Sequence, residues 1–115
     1  MVTIYGLKNC DTCRKAVKSL DSNGLAVSLR DVRAEPLSRD ELDAFFSIFG
    51  EKLLNTRSTT WRGLDEADRA RDPMDLIAVY PALMKRPVVV SDYGTTLGWS
   101  GVNEALHLGK STGAS

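Results

Sequence analysis

Met1-Val-Thr-Ile-Tyr-Gly-Leu-Lys-Asn-Cys-Asp-Thr-Cys-Arg-Lys-Ala16 runs from a short apolar stretch into a helix-forming one, and two cysteines stand at the junction. Val2 to Tyr5 reads as a short buried strand, and Gly6 to Asn9 as the loop after it. Asp11 to Asn23 reads as a helix: Ala16, Val17 and Leu20 recur at helical spacing, Lys15 and Lys18 point outward, and Asn23-Gly24 stops it. A thiol at such a helix start faces unpaired backbone N–H groups and the positive end of the helix dipole. Both favour thiolate over thiol. Cys10 and Cys13 are the only cysteines, so any sulfur chemistry is done here.

Outward from this stretch, Ala26 to Asp31 alternates and suits a second strand. A β-α-β start of this length implies a parallel pair with a right-handed crossover. The middle reads as helical. Ser38 is an N-cap with Glu41 three residues on, as in a capping box, and Leu42, Phe45, Phe46 and Phe49 form an apolar stripe before Gly50. Leu53 to Arg62 reads as a polar loop. One or two further helices follow across the charged run Asp65–Asp72 and the apolar set from Met74 to Met84, with Pro73 in a first turn and Pro81 as a divider. Then the period changes: Arg86 to Ser91 and Thr95 to Trp99, separated by Asp92-Tyr-Gly94, predict a β-hairpin. Ser100 caps a last helix through Leu108. The order is that of an α/β, thioredoxin-like fold: a mixed four-stranded sheet with helices inserted between β-α-β and β-β-α halves. A single domain is expected over 1–108, with a small, polar, flexible tail at 109–115.

Size and charge narrow the function. At 115 residues the chain has room for one domain and one core. Fifteen acidic and fifteen basic side chains give no electrostatic case for nucleic acid or anionic membranes. Neither a membrane-spanning run nor a signal peptide is read, so a cytoplasmic location is expected. A disulfide between residues three apart closes almost no loop and is a poor staple; in a reducing compartment such a pair is redox-active or metal-binding. A structural zinc site needs four ligands, and two thiolates with the distant His107 fall short, so no metal is expected.

At pH 7 a free cysteine, with a pKa of about 8.5, is only a few per cent thiolate. Bringing it to about 7 takes roughly 2 kcal/mol. A helix terminus supplies about 0.3–1 kcal/mol, or up to about 2 when partly buried. Backbone N–H groups of Thr12 and Cys13, and basic groups gathered by folding, add to that; Asp11 opposes it. Cys10, at the cap, is the candidate attacking thiol. Cys13, a turn inside, suits a resolving role or simple core packing. Trp61 and Trp99 read as packing residues, and Arg62 beside Trp61 as a stacked surface pair.

With Cys-Asp-Thr-Cys-Arg-Lys-Ala, then Asn55-Thr-Arg-Ser-Thr-Thr-Trp-Arg62, then Lys85-Arg-Pro-Val-Val89, the sequence resembles the arsenate reductase/Spx (ArsC-like) family, most of all its YffB-like branch of thiol reductases. The resemblance runs from Met1 to about Leu106. It implies that Cys10 is the nucleophile, that Arg57 is a loop arginine near the sulfur, and that Arg86-Pro87 is joined by a cis peptide that sets the Arg86 backbone beside it. Asn9, Asp11, Thr12, Arg57, Arg86 and Pro87 are then the expected substrate contacts, and Cys10, Cys13, Arg57 and Arg86 the expected catalytic set.

What the resemblance implies for function is a thiol–disulfide oxidoreductase with no bound cofactor. Glutathione would be its co-substrate, a small thiol or disulfide its substrate, and glutaredoxin a partner. Arsenate reductases of this type use a third arginine after the Arg-Pro strand, whereas Thr95 to Gly101 holds no arginine or lysine. An oxyanion would lose one fork of charge-assisted donors, each worth roughly 1.5–3 kcal/mol. Arsenate reduction therefore ranks second. The family's Spx branch implies a different class, a redox-responsive regulator with RNA polymerase as partner.

Overall fold

The computed structural model describes residues 1–109, and their contacts divide the chain into two compact units. One is made of Met1–Asp31 and the chain from Arg86 on; the other is Val32–Lys85. Apart from Gly109, the expected tail lies outside the described residues.

The first unit holds β1 (Val2–Gly6), α1 (Asp11–Ser22), β2 (Val27–Asp31), β3 (Val88–Ser91), β4 (Gly94–Leu97) and α6 (Gly101–His107). Its sheet has the order β2-β1-β3-β4. β1 and β2 are parallel, Val2 facing Val27 through to Gly6 facing Asp31; β1 with β3, and β3 with β4, are antiparallel. This is the expected thioredoxin-like mixed sheet. The alternation of β1 buries Val2, Ile4 and Gly6, and the helical spacing of α1 buries Cys13, Ala16 and Leu20. Val2, Ile4, Ala16, Leu20 and Val89 form the core cluster, with Trp99 packed against it as expected.

Gly6 corrects the sequence reading. It is the last residue of the strand, not the first of a loop, because its partner Asp31 extends the ladder by one pair. The hairpin turn is also tighter than predicted: Gly94 joins β4, at a φ of 142° that suits glycine.

A buried histidine closes this unit. His107 is 0% exposed; its Nδ1 lies 2.6 Å from Ser91 Oγ and its Nε2 2.8 Å from Thr96 Oγ1. Both ring nitrogens are thus engaged by hydroxyls that can donate or accept, a set that fits neutral imidazole. Burial holds its pKa below the ordinary 6.5. The unfolded chain therefore binds a proton that the folded one resists, and this contribution is present above about pH 6.5 and lost as pH falls towards the folded value. The urea midpoint is expected to drop between pH 7.5 and 5.5. His107→Gln, which keeps a donor and an acceptor without titrating, should flatten that drop.

In the second unit, α2 (Arg39–Phe49) starts with the predicted capping box: Glu41 N–H donates to Ser38 Oγ at 3.1 Å and Ser38 N–H to Glu41 Oε1 at 2.9 Å. It buries Leu42 and Phe45. The stretch read as a polar loop is more ordered. Leu53 ends a 3-10 turn (Gly50–Leu53) and is fully buried, Leu54 bridges Met84, and Ser58 caps the short helix α3 (Thr59–Arg62). Two leucines at the head of that run supply an anchor that its polar composition hid. Further on come α4 (Glu66–Arg69), α5 (Pro73–Val79) and a 3-10 turn begun by Pro81. The ring stacking on Trp61 also differs from expectation. Arg69, not Arg62, lies over it, 5.7 Å from the centroid. Successive helical residues do not face each other, so the adjacent arginine is poorly placed for that contact.

Candidate active site

The turn between β1 and α1 is held by one backbone hydrogen bond and two that use side chains. Cys10 N–H donates to the Leu7 carbonyl at 3.1 Å, Lys8 N–H to Asp31 Oδ2 at 3.1 Å, and Arg14 Nε to the Lys8 carbonyl at 2.9 Å. Asp31, Lys8 and Arg14 were not singled out by the sequence. Their contacts join the ends of β1, β2 and α1, and no local spacing announces them.

This turn delivers Cys10 to the N-cap of α1 with extended backbone (φ −89°, ψ 120°), its carbonyl accepting the first helical bond from Arg14 N–H at 3.0 Å. Its side chain is half-buried, and the Cys13 backbone N–H at the third helical position faces the sulfur without closing a regular capping hydrogen bond. The sulfur is thus available for chemistry. Burial alone would push its thiol up; the Cys13 backbone N–H, the Cys13 side chain and the Arg86 guanidinium more than offset this and hold the Cys10 pKa below the ordinary range. Asp11, the opposing charge in the sequence reading, is 89% exposed with Arg14 Nη1 3.8 Å away. Asn9 and Thr12 are also exposed.

Cys13 behaves oppositely. It is 0% exposed, and burial, followed by the neighbouring Cys10, pushes its thiol up to about 11 against the lowering pull of a Leu7 backbone hydrogen bond and Arg86. Of the two thiols, Cys10 is therefore the one that ionises first, with Cys13 staying protonated beside it. Gly6 makes the arrangement sterically feasible: a Cβ there would run into Cys13 Sγ and sit 3.3 Å from Cys13 Cβ.

Arg86 precedes β3, is half-buried, and is joined to Pro87 by a cis peptide bond. Pro87 is buried, and its carbonyl accepts from Gly98 N–H at 2.8 Å. Cys10, Cys13 and Arg86 thus meet within one unit. Arg57 belongs to the other, on an exposed loop where its backbone N–H donates to Asn55 Oδ1 at 3.1 Å. Among the described residues, no group of three or more His, Cys, Asp or Glu is placed to hold a metal ion, and no helix is long and apolar enough to cross a membrane.

The model of the ArsC family matches residues 5–103. The solved structure of the YffB protein superposes with a TM-score of 0.86 at 32% identity, covering 94% of this chain and 99% of that one. The arsenate reductase (ArsC) related protein of Brucella melitensis gives 0.70 at 36% identity, over 90% and 91%. The global transcriptional regulator Spx of Streptococcus pyogenes is 32% identical over 106 residues, 87% of this chain and 79% of that protein. On the family match, the shared fold and these identities, the chain belongs to the ArsC family.

Proposed function

We propose that the protein is a cytoplasmic thiol–disulfide oxidoreductase that uses Cys10 as nucleophile and glutathione as co-substrate. The observation that carries this reading is the half-buried Cys10 at the start of α1, with Cys13 and Arg86 as the polar neighbours of its sulfur. The family's arsenate reductase-related members support the reductase class.

The chemistry balances as two exchanges. Cys10 thiolate attacks the glutathione sulfur of a mixed disulfide; the Cys10–glutathione bond forms, the substrate S–S bond breaks, and the released thiolate takes a proton. A second glutathione, as thiolate, then attacks the bound glutathione sulfur. Oxidised glutathione leaves and Cys10 thiolate is restored. Net, one disulfide is exchanged for another: the substrate sulfur leaves as a thiol, one glutathione thiol is consumed, and the two glutathione sulfurs leave joined to each other. Arg86 would hold the anionic substrate. Cys13 would stabilise the Cys10 thiolate between turnovers, donating through S–H.

The test is an ultraviolet titration of the thiolate. Cys10 is expected to ionise below the ordinary thiol range, and Arg86→Gln to raise that midpoint, since a charge-assisted donor is lost. In parallel, mass spectrometry after exposure to oxidised glutathione should find the adduct on Cys10. An ordinary Cys10 midpoint that Arg86→Gln leaves unmoved, or adducts confined to Cys13, sinks the assignment.

The similarity to Spx favours a second reading, a redox-responsive regulator that engages RNA polymerase. Capture of polymerase by one redox form of the protein, with no turnover of glutathione disulfides, would select it over the reductase.

A further inference from the structure

Within the 32–85 unit, a cleft of about 650 Å³ opens between the turn at Glu51 and Lys52, Trp61 of α3, and the α4–α5 connection. Its size falls in the range of small-ligand sites, roughly 300–1,000 Å³. Its walls carry two kinds of chemistry.

The first is charge. Lys52, Arg69 and Arg71 face the cleft against the single carboxylate of Glu51. This is an excess of positive charge in a chain whose totals balance. Asp68 moderates it only loosely, 3.9 Å from Arg71 Nη1. Arg69 is set in place before any ligand arrives: Nε donates to the Trp61 carbonyl at 3.3 Å, Nη2 to the Arg62 carbonyl at 3.1 Å, and the guanidinium lies over the indole at 5.7 Å. These bonds use Nε and Nη2 and leave Nη1 for an anion. Because the side chain is already ordered, little rotamer entropy is lost when it captures one.

The second is apolar surface. Trp61, Leu54 and Pro73 offer flat and aliphatic contact beside those cations. A bare inorganic anion would leave this surface unused, and an uncharged hydrophobe would leave the cations unused. Joined, they fit a molecule with both parts.

We propose that this cleft binds a small organic anion in which a planar ring is linked to a phosphate, of the size of a nucleoside monophosphate. Arg69 and Arg71 take the phosphate, and the ring lies on the Trp61 side. The site is independent of Cys10 and stands whether or not the reductase reading holds.

The test uses adenosine monophosphate as probe, with inorganic phosphate and adenosine as the two halves. Binding is read by calorimetry on the unaltered chain and by Trp61 fluorescence in a Trp99→Phe background. Saturable binding of the nucleotide is expected, at least about tenfold tighter than either half. Arg69→Gln should weaken it about tenfold or more, and so should Arg71→Gln, at an exposed position whose loss the fold tolerates. No saturable nucleotide binding by calorimetry, phosphate binding as tightly as the nucleotide, or affinity unchanged in both arginine variants would each overturn the proposal.

Discussion

Cys10→Ser is expected to remove exchange with oxidised glutathione, by on the order of a thousandfold or more, and at the same time to leave the protein slightly more stable. The two halves follow from the same position. Serine keeps the size of the side chain but offers a hydroxyl that does not ionise near neutrality, and Cys13 is too deeply buried, with too high a pKa, to stand in as attacker. Yet Cys10 occupies the N-cap of α1, and the Cys13 N–H that faces its sulfur closes no regular capping hydrogen bond. Serine is among the best residues at that position, accepting from a backbone N–H of the first turn, where such caps are worth about 0.5–2 kcal/mol over alanine. A gain of a few tenths to about 1 kcal/mol is therefore expected in the variant. Stopped-flow exchange and urea denaturation on the same samples give both numbers. A Cys10→Ser protein that keeps its exchange rate removes Cys10 from the chemistry. One that loses both rate and stability makes Cys10 a structural residue.

That position also shows why the site was legible at all. A cysteine where Ser, Thr, Asp or Asn would stabilise the helix is a local conflict between propensity and chemistry, and such conflicts concentrate at functional positions. The capping box at Ser38 and Glu41 was legible for the complementary reason: both partners lie within one turn, so spacing alone specifies the bonds. The change from helical to alternating period after Lys85 likewise located the hairpin, and with it the β-β-α half of the sheet. What spacing could not convey is contact between distant segments. Asp31 reaches the Lys8 N–H across 23 residues, and Arg69 lies over Trp61 from the next helix along. Arg57 and Arg86 came from resemblance rather than spacing; the structure sets Arg86 against Cys10 and gives Arg57 a place on the other unit's loop. The Leu53–Arg62 run misled because its composition is polar while its first two residues carry the anchoring contacts.

Gly6→Ala is expected to destabilise the protein by about 1–3 kcal/mol, the usual cost of forcing an extra methyl into a packed interior. Backbone conformation is not the cause, since Gly6 lies outside the positive-φ region. Size is. The residue is buried at the end of β1, paired with Asp31, and a Cβ built on it overlaps Cys13 Sγ. Either the strand end or the first turn of α1 must shift, and both carry the geometry that holds Cys10. The variant should therefore also raise the Cys10 ionisation midpoint, because displacing Cys13 weakens the N–H and S–H groups that lower it. Cys13→Ala isolates the steric effect. Alone it leaves a small cavity; combined with Gly6→Ala it removes the atom the new methyl strikes, although the two Cβ positions remain tight at 3.3 Å. The double variant should thus be more stable than the sum of the singles predicts, with a coupling of about 0.5–3 kcal/mol. Urea midpoints of the four proteins complete the cycle. Strict additivity would mean that Gly6 is not small for the sake of Cys13, and that the close seat of the second thiol against β1 plays no part in presenting the first.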